Sequence, residues 1–426
     1  MTQRVLIHMS PRSRTTTDSS PFSNAAFRAV WVASVFSFIG TWVQDVGESW
    51  VMLSMSRDPR LVAALTTCFL APTLVLTLPA GLLADRLDRR KLLLWSQALS
   101  ALAAAGPAVA IRLNHMTPGV LLACTALLGA AGALGAPAWQ TLVPELLPRR
   151  LTVQAVTLGS IAFNIARVVG PALGGVLLAS AGAETTFVVN ALSFLAVLWV
   201  LGRYEEVRRA SELARPSTPT TRIGAFFDPL REVRSTPALW GAFGSVAAFG
   251  VSATIIMAIL PAFAKHALGA SASGYGALLS ALGCGAITSG LFLARLRTRF
   301  GKRVTVSTGI AAYGIATFLA SRAEHVASAL PCFFLAGLGW IACLTTLSAS
   351  VQLTARTETK SRVTALYQLN FYVWLTVGAW AGGALAERWN ERVAVAVGGL
   401  GCVVAAAITS RLLEERARPA VITASG

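Results

Sequence analysis

Apolar stretches of about 20 residues recur along nearly the whole chain, and that length is what a helix needs to cross a lipid bilayer. Lipid offers no hydrogen bonds to the backbone, so such stretches can be helices but not open sheets. Hydrophobic residues make up 55% of the chain and charged residues 13%, about half the charged share of a soluble domain. The pattern predicts an all-α membrane protein with twelve transmembrane helices, at 28–53, 61–82, 92–111, 118–140, 153–180, 185–202, 237–264, 273–294, 304–321, 326–350, 362–386 and 393–410.

The basic residues alternate from loop to loop. The formal charge of +17 would suit a nucleic-acid partner, but 28 Lys and Arg lie in the tails and in every second loop, against 7 in the intervening loops. Loops rich in Lys and Arg remain in the cytoplasm. The distribution therefore predicts a multi-pass protein of the cell (inner or plasma) membrane with both termini cytoplasmic. Its basic loops would contact anionic lipid head groups rather than nucleic acid.

The longest predicted loop, 203–236, divides the chain into two six-span halves, 28–202 and 237–412. The halves echo each other, because 170–175 in the fifth span has a counterpart at 378–383 in the eleventh. We expect two pseudo-symmetric bundles, a disordered cytoplasmic tail at 1–27 and a second tail at 413–426. Apolar residues at helical spacing from Ile223 to Val233 predict a short amphipathic helix on the membrane surface, with an irregular loop as the alternative.

Enzyme and cofactor signatures are absent from the sequence. Its six cysteines all lie within apolar spans without metal-binding spacing, and its four histidines are scattered. Neither an HExxH pattern, a nucleophile elbow nor a complete phosphate loop occurs. We expect no enzymatic activity, no cofactor and no metal, and transport driven by an ion gradient.

One basic residue, Arg167, lies inside an apolar span. A cation in hydrocarbon is costly and persists beside a partner or a water-filled cavity. Asp45 and Glu48 share roughly one face of the first helix, with Glu48 one turn nearer the outer surface. An ion pair between Asp45 and Arg167 is expected. A changing distance between them would change proton affinity, so we hypothesise that all three residues couple protons to transport. A static buried ion pair is the alternative.

The loop after the second span carries the strongest local motif. It resembles motif A of the major facilitator superfamily, G-x-x-x-D-[RK]-x-G-[RK]-[RK], with aspartate at position 88 in place of glycine. The resemblance implies a loop that latches the two halves on the cytoplasmic face through a breakable link of about 1 kcal/mol. A basic turn that only sets topology is the alternative. The matching residues are Gly81, Asp85, Arg86, Arg89 and Arg90.

The fifth span resembles the antiporter motif of the same superfamily, G-x-x-x-G-P-x-x-G-G. The match includes Gly170, Pro171, Gly174 and Gly175, with Ala166 in place of the first glycine. This resemblance implies export, and a helix-packing seam is the alternative. The family's arginine in the fourth span has no counterpart within 121–140. Runs at 136–144, 164–171 and 339–363 resemble the enterobactin-exporter branch, which does not define the cargo.

Several polar and aromatic residues fall in spans that line the central cavity in this superfamily. Together they would suit an amphipathic or aromatic organic molecule, although each could instead serve packing. These candidate cargo-binding residues are Gln44, Asn164, Trp340, Asn370, Tyr372 and Trp374.

The resemblance and the intramembrane charges together indicate a secondary active transporter that works by alternating access. We expect a monomeric, proton-coupled exporter of a small organic molecule such as a siderophore, drug or secondary metabolite. A proton symporter, or a transporter of a lipid-like substrate, is the alternative within the same class. A membrane sensor that kept the transporter fold is a third reading, and it should carry an added signalling domain.

Overall fold

The computed structural model describes residues 20–56, 58–208, 228–356 and 359–414. A few side chains inside these ranges fall outside the description, among them those of Gly81, Asp85 and Arg86. All secondary-structure elements of the described residues are helices. In chain order the helices are α1 (Ala25–Met55), α2 (Pro59–Arg86), α3 (Arg89–Arg112), α4 (Pro118–Glu145), α5 (Thr152–Ala181), α6 (Ala183–Arg203), α7 (Asp228–Ser235), α8 (Pro237–Ala262), α9 (Ala272–Ala320), α10 (Val326–Thr354), α11 (Lys360–Arg388) and α12 (Glu391–Glu414).

Ten of the described helices are long and apolar enough to cross a membrane. One of them, α9, has 49 residues and would be about 70 Å long if straight, far more than one bilayer crossing requires. It bends at Gly301, whose φ of 73° is readily adopted by glycine, so the two spans predicted at 273–294 and 304–321 join without a loop. With α11 counted as a span, the fold agrees with twelve crossings.

Side-chain caps explain where several helices begin. Asn24 accepts a hydrogen bond from the backbone N–H of Phe27 (2.9 Å) and starts α1. Asp58 accepts one from the N–H of Arg60 (2.8 Å) and starts α2. Such caps satisfy backbone donors that a first helical turn leaves free. A positive φ of 81° at Gly182 separates α5 from α6.

The helices form two bundles, as expected from the repeated halves. In the first half α1 packs against α5 and α6, while α4 packs against α2 and α3; in the second half α9 packs along α10 and α12, and α8 lies against α11 and α12. The halves meet through two helix pairs, α5 with α9 and α2 with α11. Each pair joins the second span of one half to the fifth span of the other. The interface therefore follows the pseudo-symmetry of the molecule.

The linker contains the helix α7, which lies on the second half. Its Glu232 is 7% exposed and accepts hydrogen bonds from the backbone N–H of Arg356 (2.8 Å) and from the hydroxyl of Thr359. These bonds hold α7 on the α10–α11 loop. The expected start of the helix at Ile223 and the tails at 1–19 and 415–426 lie outside the described residues. Contact of α7 with the membrane surface remains a prediction.

We call the two ends of the helix bundle the tail end and the far end. The tail end carries the start of α1 and the end of α12. The far end carries the α1–α2, α5–α6 and α11–α12 connections, together with a π-helical turn, Phe263–Ala267, that follows α8.

Candidate functional site: a cleft between the halves

At the far end the two halves are in close contact along α5 and α9. A Cβ added to Gly276 would lie 2.4 Å from the carbonyl oxygen of Pro171, and one added to Gly283 would lie 3.1 Å from the carbonyl oxygen of Arg167. The hydroxyl of Ser280 donates to the Val168 carbonyl at 3.0 Å. Such backbone approach needs glycine, because any larger residue would separate the helices.

Towards the tail end the same helices separate. Gly290 lies two turns beyond Gly283 on α9, and a Cβ there would meet no atom within 4 Å. Large apolar side chains nearby are open, with Val153 76% and Leu291 72% exposed. The halves therefore enclose a cleft that opens at the tail end and closes near Arg167.

The antiporter-like motif lies at this closure. Gly170 and Gly174 face α1, whereas Pro171 and Gly175 face α9. A Cβ on Gly170 would lie 2.4 Å from a side-chain carbon of α1, and one on Gly175 would lie 2.8 Å from a carbonyl oxygen of α9. The motif thus lets α5 pack closely against helices of both halves. Its role in the direction of transport remains a prediction.

Two polar links also join the halves at the far end. Arg60 of α2 forms an ion pair with Glu387 of α11. Lys265, in the turn after α8, donates to the carbonyl oxygen of Leu53 at 3.3 Å, and its Nζ lies 5.3 Å from the centroid of the Trp50 ring. We call these two links the far-end latches.

A buried polar network occupies the interior of the first half. Glu48 is 5% exposed and accepts hydrogen bonds from Gln44 Nε2 (2.6 Å) and from the Thr125 hydroxyl (3.0 Å). Gln44 Oε1 in turn accepts from Asn190 Nδ2 at 2.7 Å. The Ser193 hydroxyl donates to Asn190 Oδ1 at 3.1 Å. The network ties α1 to α4 and α6 without a basic side chain.

This network corrects one expectation. Gln44 was expected in the cavity wall, but it is 1% exposed and bridges Glu48 to α6. Glu48, one turn further along α1, is also buried inside the bundle. The reason is the close approach of α1 to α6 at Gly40 and Gly47, where an added Cβ would lie under 3 Å from α6 side-chain atoms. That approach turns this face of α1 inwards.

Asp45 points in a different direction from Glu48. It is exposed and lies within electrostatic reach of Tyr275 on α9 and of Glu48. Ser49, one turn further along α1, lies close to the same tyrosine. Asp45 therefore lies on the side of α1 that faces the second half, near the start of α9, and it is the more exposed carboxyl group of the pair.

Arg167 has no ionic partner among the described residues. The expected ion pair with Asp45 does not form in this conformation, because the guanidinium extends towards α10 and its Cζ lies 5.6 Å from the centroid of the Trp340 ring. Its Nε is buried and makes no hydrogen bond. A change of conformation would be needed to bring Asp45 and Arg167 together.

An aromatic cluster in the second half forms the wall beside Arg167. The Trp340 ring centroid lies 5.5 Å from that of Phe249, 5.8 Å from that of Tyr313 and 6.3 Å from that of Phe371. Tyr372 continues the cluster at 6.2 Å from Phe371. Rings at these separations attract one another in tilted and edge-to-face arrangements. Trp340 and Tyr372, both expected from the sequence, are thus in one cluster.

The other candidate cargo residues have partners within the protein. Asn164 donates to the carbonyl oxygen of Ser160 on its own helix at 2.8 Å. Asn370 donates to the Phe243 carbonyl at 3.1 Å and accepts from Trp374 Nε1 at 3.3 Å. Asn370 therefore joins α11 to α8, and these contacts leave any role in cargo binding untested.

The described arginines of motif A bind within the first half. Arg89 forms an ion pair with Glu145 of α4 (2.9 Å), and Arg90 donates from Nε to the Leu201 carbonyl of α6 (2.8 Å). Asp88, which replaces the family's glycine, caps α3 by accepting from the Lys91 N–H at 3.1 Å. The departure from the motif thus has a structural role.

At the remaining motif A residues, Gly81, Asp85 and Arg86, only the backbone is described, so the expected latch between halves is a prediction at those positions.

Sequence reasoning missed three partners of the candidate site. Asn190 was a detectable signal, since it is a strongly polar residue inside an apolar span. Thr125 gave no signal, because threonine in a helix can satisfy its hydroxyl on its own backbone, and the Leu121 carbonyl oxygen at 2.9 Å is an alternative acceptor for its one proton. Lys265 was assigned to a loop, although it bridges the halves.

Comparison with known proteins places the chain among transporters. The profile of a family described as transmembrane secretion effector matches residues 16–420. A staphyloferrin A transporter of Staphylococcus aureus is 32% identical over 197 residues, which are 46% of this chain and 50% of that protein, so the match spans half the length of that relative. The enterobactin exporter of Citrobacter koseri is 25% identical over 415 residues, 93% of this chain and 94% of that protein. The multidrug efflux pump Tap of Mycobacterium tuberculosis is 27% identical over 303 residues, 67% of this chain and 69% of that protein.

Solved structures confirm the fold. A bacterial homologue of the human lysosomal transporter Spinster, in an inward-facing and unoccupied conformation, superposes with a TM-score of 0.74 at 16% identity, covering 94% of this chain and 99% of that one. A bacterial homologue of the iron transporter ferroportin, in an inward-facing state, gives 0.71 at 16% identity, covering 91% and 98%.

Proposed function

The chain belongs to the transmembrane secretion effector family of the major facilitator superfamily, and we propose that it is a proton-driven exporter of a small organic molecule. One observation carries the proposal: a carboxyl pair lies at the closed end of a cleft that opens at the tail end. Asp45 is accessible there, and Glu48 is sealed one turn further inside. Carboxyl groups at this position would exchange protons with the side of the membrane to which the cleft is open.

The orientation follows from the basic loops. The tail end carries the start of α1, the end of α12 and the loops that hold most of the Lys and Arg residues, which favours the cytoplasmic side. The cleft then opens to the cytoplasm in this conformation. An exporter would load its cargo in this state.

The environment of Glu48 supplies the link between protons and conformation. An ionised carboxylate is costly to bury unless it is paired with a charge, whereas a carboxylic acid can be satisfied by neutral hydrogen bonds. The Gln44 and Thr125 partners are neutral, so this sealed arrangement favours the protonated acid. Movement of α1 that admits water would favour proton release through Asp45 and the cleft.

Alternating access requires the far end to open while the tail end closes. The Arg60–Glu387 pair is partly exposed, with side-chain exposures of 59% and 40%. Exposed ion pairs contribute only about 0–1 kcal/mol. The far-end latches are thus weak enough to break in each cycle. The tightly packed glycine contacts between α5 and α9 would provide the pivot.

The cargo class rests on the relatives and on the aromatic wall. A staphyloferrin A transporter, an enterobactin exporter and a multidrug efflux pump are all similar to this chain, and these names favour small organic cargo. The cluster around Trp340 supplies apolar surface for such a molecule.

Inverted membrane vesicles test the proposal. Vesicles containing the protein should accumulate enterobactin, staphyloferrin A or ethidium when their interior is acidic, and a protonophore should abolish the accumulation. Vesicles with the Asp45→Asn variant should lose the dependence on the gradient. Accumulation of none of the three compounds, or accumulation that a protonophore leaves unchanged, would contradict proton-driven export. Proton-driven movement in the opposite direction would indicate a symporter.

A further inference from the structure

Arg167 is a membrane-embedded cation with no counter-charge beside it among the described residues. Guanidinium carries five N–H donors, and none of them donates to a described residue, while its Nε is shielded from solvent. A buried donor left without an acceptor costs free energy, more so when it is charged. A position that retains such a group points to an acceptor supplied from outside the chain.

The surroundings do not offer that acceptor. Glu48 is engaged with Gln44 and Thr125, and Asp45 faces Tyr275 instead. In the described part of the second half, every acidic residue lies at a helix end, in a connection or in α7. The Tyr313 hydroxyl, on the second half, donates to the Ala253 carbonyl at 3.0 Å, and its oxygen accepts no hydrogen bond from Arg167. No carboxylate of the described chain is therefore in place to neutralise Arg167.

The position of Arg167 is also where a molecule in the cleft would end. A Cβ on Gly283 of α9 would lie 3.1 Å from the Arg167 carbonyl oxygen, whereas a Cβ on Gly290, two turns nearer the tail end, would meet no atom within 4 Å. The guanidinium of Arg167 lies over the Trp340 ring. Stacking on an aromatic face holds a guanidinium in a fixed orientation and leaves its edge free to donate.

We propose that Arg167 binds an anionic group of the cargo, and that the cluster around Trp340, Phe371 and Tyr372 binds an aromatic ring next to that group. Guanidinium matches carboxylate and similar planar oxyanions with two parallel hydrogen bonds. The cargo class is accordingly an aromatic organic acid. This inference rests on the proposed function, because it defines the cargo of the same cleft.

Three dansyl probes that share one ring and differ in charge test the inference: dansylglycine, its neutral amide and dansyl-ethylenediamine, which is cationic. Binding to the purified full-length protein is followed by probe fluorescence without any proton gradient. We expect dansylglycine to bind about tenfold or more tightly than the other two. Arg167→Gln should remove this preference, and Arg167→Lys should retain part of it, since lysine keeps the charge but lacks the planar fork.

A matched control is Arg322→Gln, because Arg322 also lies over a ring, 5.4 Å from the centroid of Phe318, but at the far end and outside the cleft. That variant should bind as the unaltered protein does. Trp340→Leu should weaken all three probes together, since the ring contributes to each. Equal binding of the three probes, no saturable binding of dansylglycine, or an anion preference that survives Arg167→Gln would overturn the inference.

The same probes separate this inference from the proposed function. An anion preference that depends on Arg167, in a protein whose transport ignores the proton gradient, would refute proton coupling and leave the anion site standing. Proton-driven export by a protein without the preference would refute the anion site alone.

Discussion

At the scale of single residues, Glu48 and Asp45 are neighbours with different environments. Glu48 is held by two neutral donors inside the first half, and Asp45 is open to the cleft. In our proposal a proton enters at Asp45, the exposed carboxyl group, and its transfer to Glu48 alters the packing around Glu48. Each group can be tested by its neutral amide counterpart.

Glu48→Gln should separate exchange from net transport. Glutamine has nearly the same shape and can accept from Gln44 while donating to Thr125, so it mimics the protonated acid. We expect cargo exchange across proteoliposomes at equal pH to persist, and gradient-driven accumulation to fall on the order of tenfold. Thr125→Val is the control, because it removes a donor at a cost of about 1 kcal/mol while leaving the carboxyl group in place. Loss of exchange and accumulation together in Glu48→Gln would point to a structural role instead.

At the scale of helices, two glycines of α9 make opposite predictions. Gly276→Ala would place a Cβ 2.4 Å from the Pro171 carbonyl oxygen, and relieving that overlap should cost about 1–3 kcal/mol. Gly290→Ala meets no atom within 4 Å and should be neutral or stabilising by up to about 1 kcal/mol, because alanine has the higher helix propensity. Thermal unfolding of the two variants in the same detergent compares them. A lower melting temperature for both, by equal amounts, would contradict the arrangement of α5 and α9.

A second helix-scale prediction concerns the cap of α3. Asp88→Ala should destabilise the protein by about 1 kcal/mol, whereas Asp88→Gly, which restores the family's residue, should cost only a few tenths. Chemical unfolding monitored by circular dichroism measures both. Equal effects of the two variants would show that the side chain of Asp88 acts through something other than the cap.

The element scale also shows what the sequence could and could not predict. Apolar run length is enough to predict a span, because crossing a bilayer is a local requirement. The join of two spans in α9 was missed, since the conformation of one glycine at 301 decides it. The orientation of α1 was missed as well, because the face that turns inwards depends on close packing against α6. For the same reason the predicted ion pair between Asp45 and Arg167 was wrong for this conformation. Trp340 and Tyr372, in contrast, lie in one aromatic cluster, in agreement with their expected spans.

At the scale of the whole molecule, the two halves are in contact at the far end, where the far-end latches between them are weak. The Arg60–Glu387 pair and the contact of Lys265 with Leu53 join the halves there, while the tail end is open. We expect the energetic barrier to opening of the far end to lie in these links and in the packing of α5 against α9.

Glu387→Gln should favour opening of the far end. Opening can be followed with a cysteine introduced at Ala272, which is 6% exposed beside Gly175, in a protein without its six native cysteines. The rate at which this cysteine reacts with an impermeant maleimide measures how often the far end opens. Labelling should be faster in the Glu387→Gln variant. High salt should accelerate labelling of the protein with Glu387 more than that of the variant, because salt screens an exposed ion pair. Identical labelling at every salt concentration would exclude a latching role for this pair.

The movement of protons during cargo transport tests most directly whether Asp45 and Glu48 couple export to protons. Proteoliposomes with a trapped pH indicator receive enterobactin or staphyloferrin A on the side of the tail end, and internal pH is followed together with cargo uptake. We expect protons to leave as cargo enters, and we expect the two fluxes to be uncoupled in the Asp45→Asn, Glu48→Gln double variant. Cargo entry without proton movement, or coupling preserved in the double variant, would contradict this expectation.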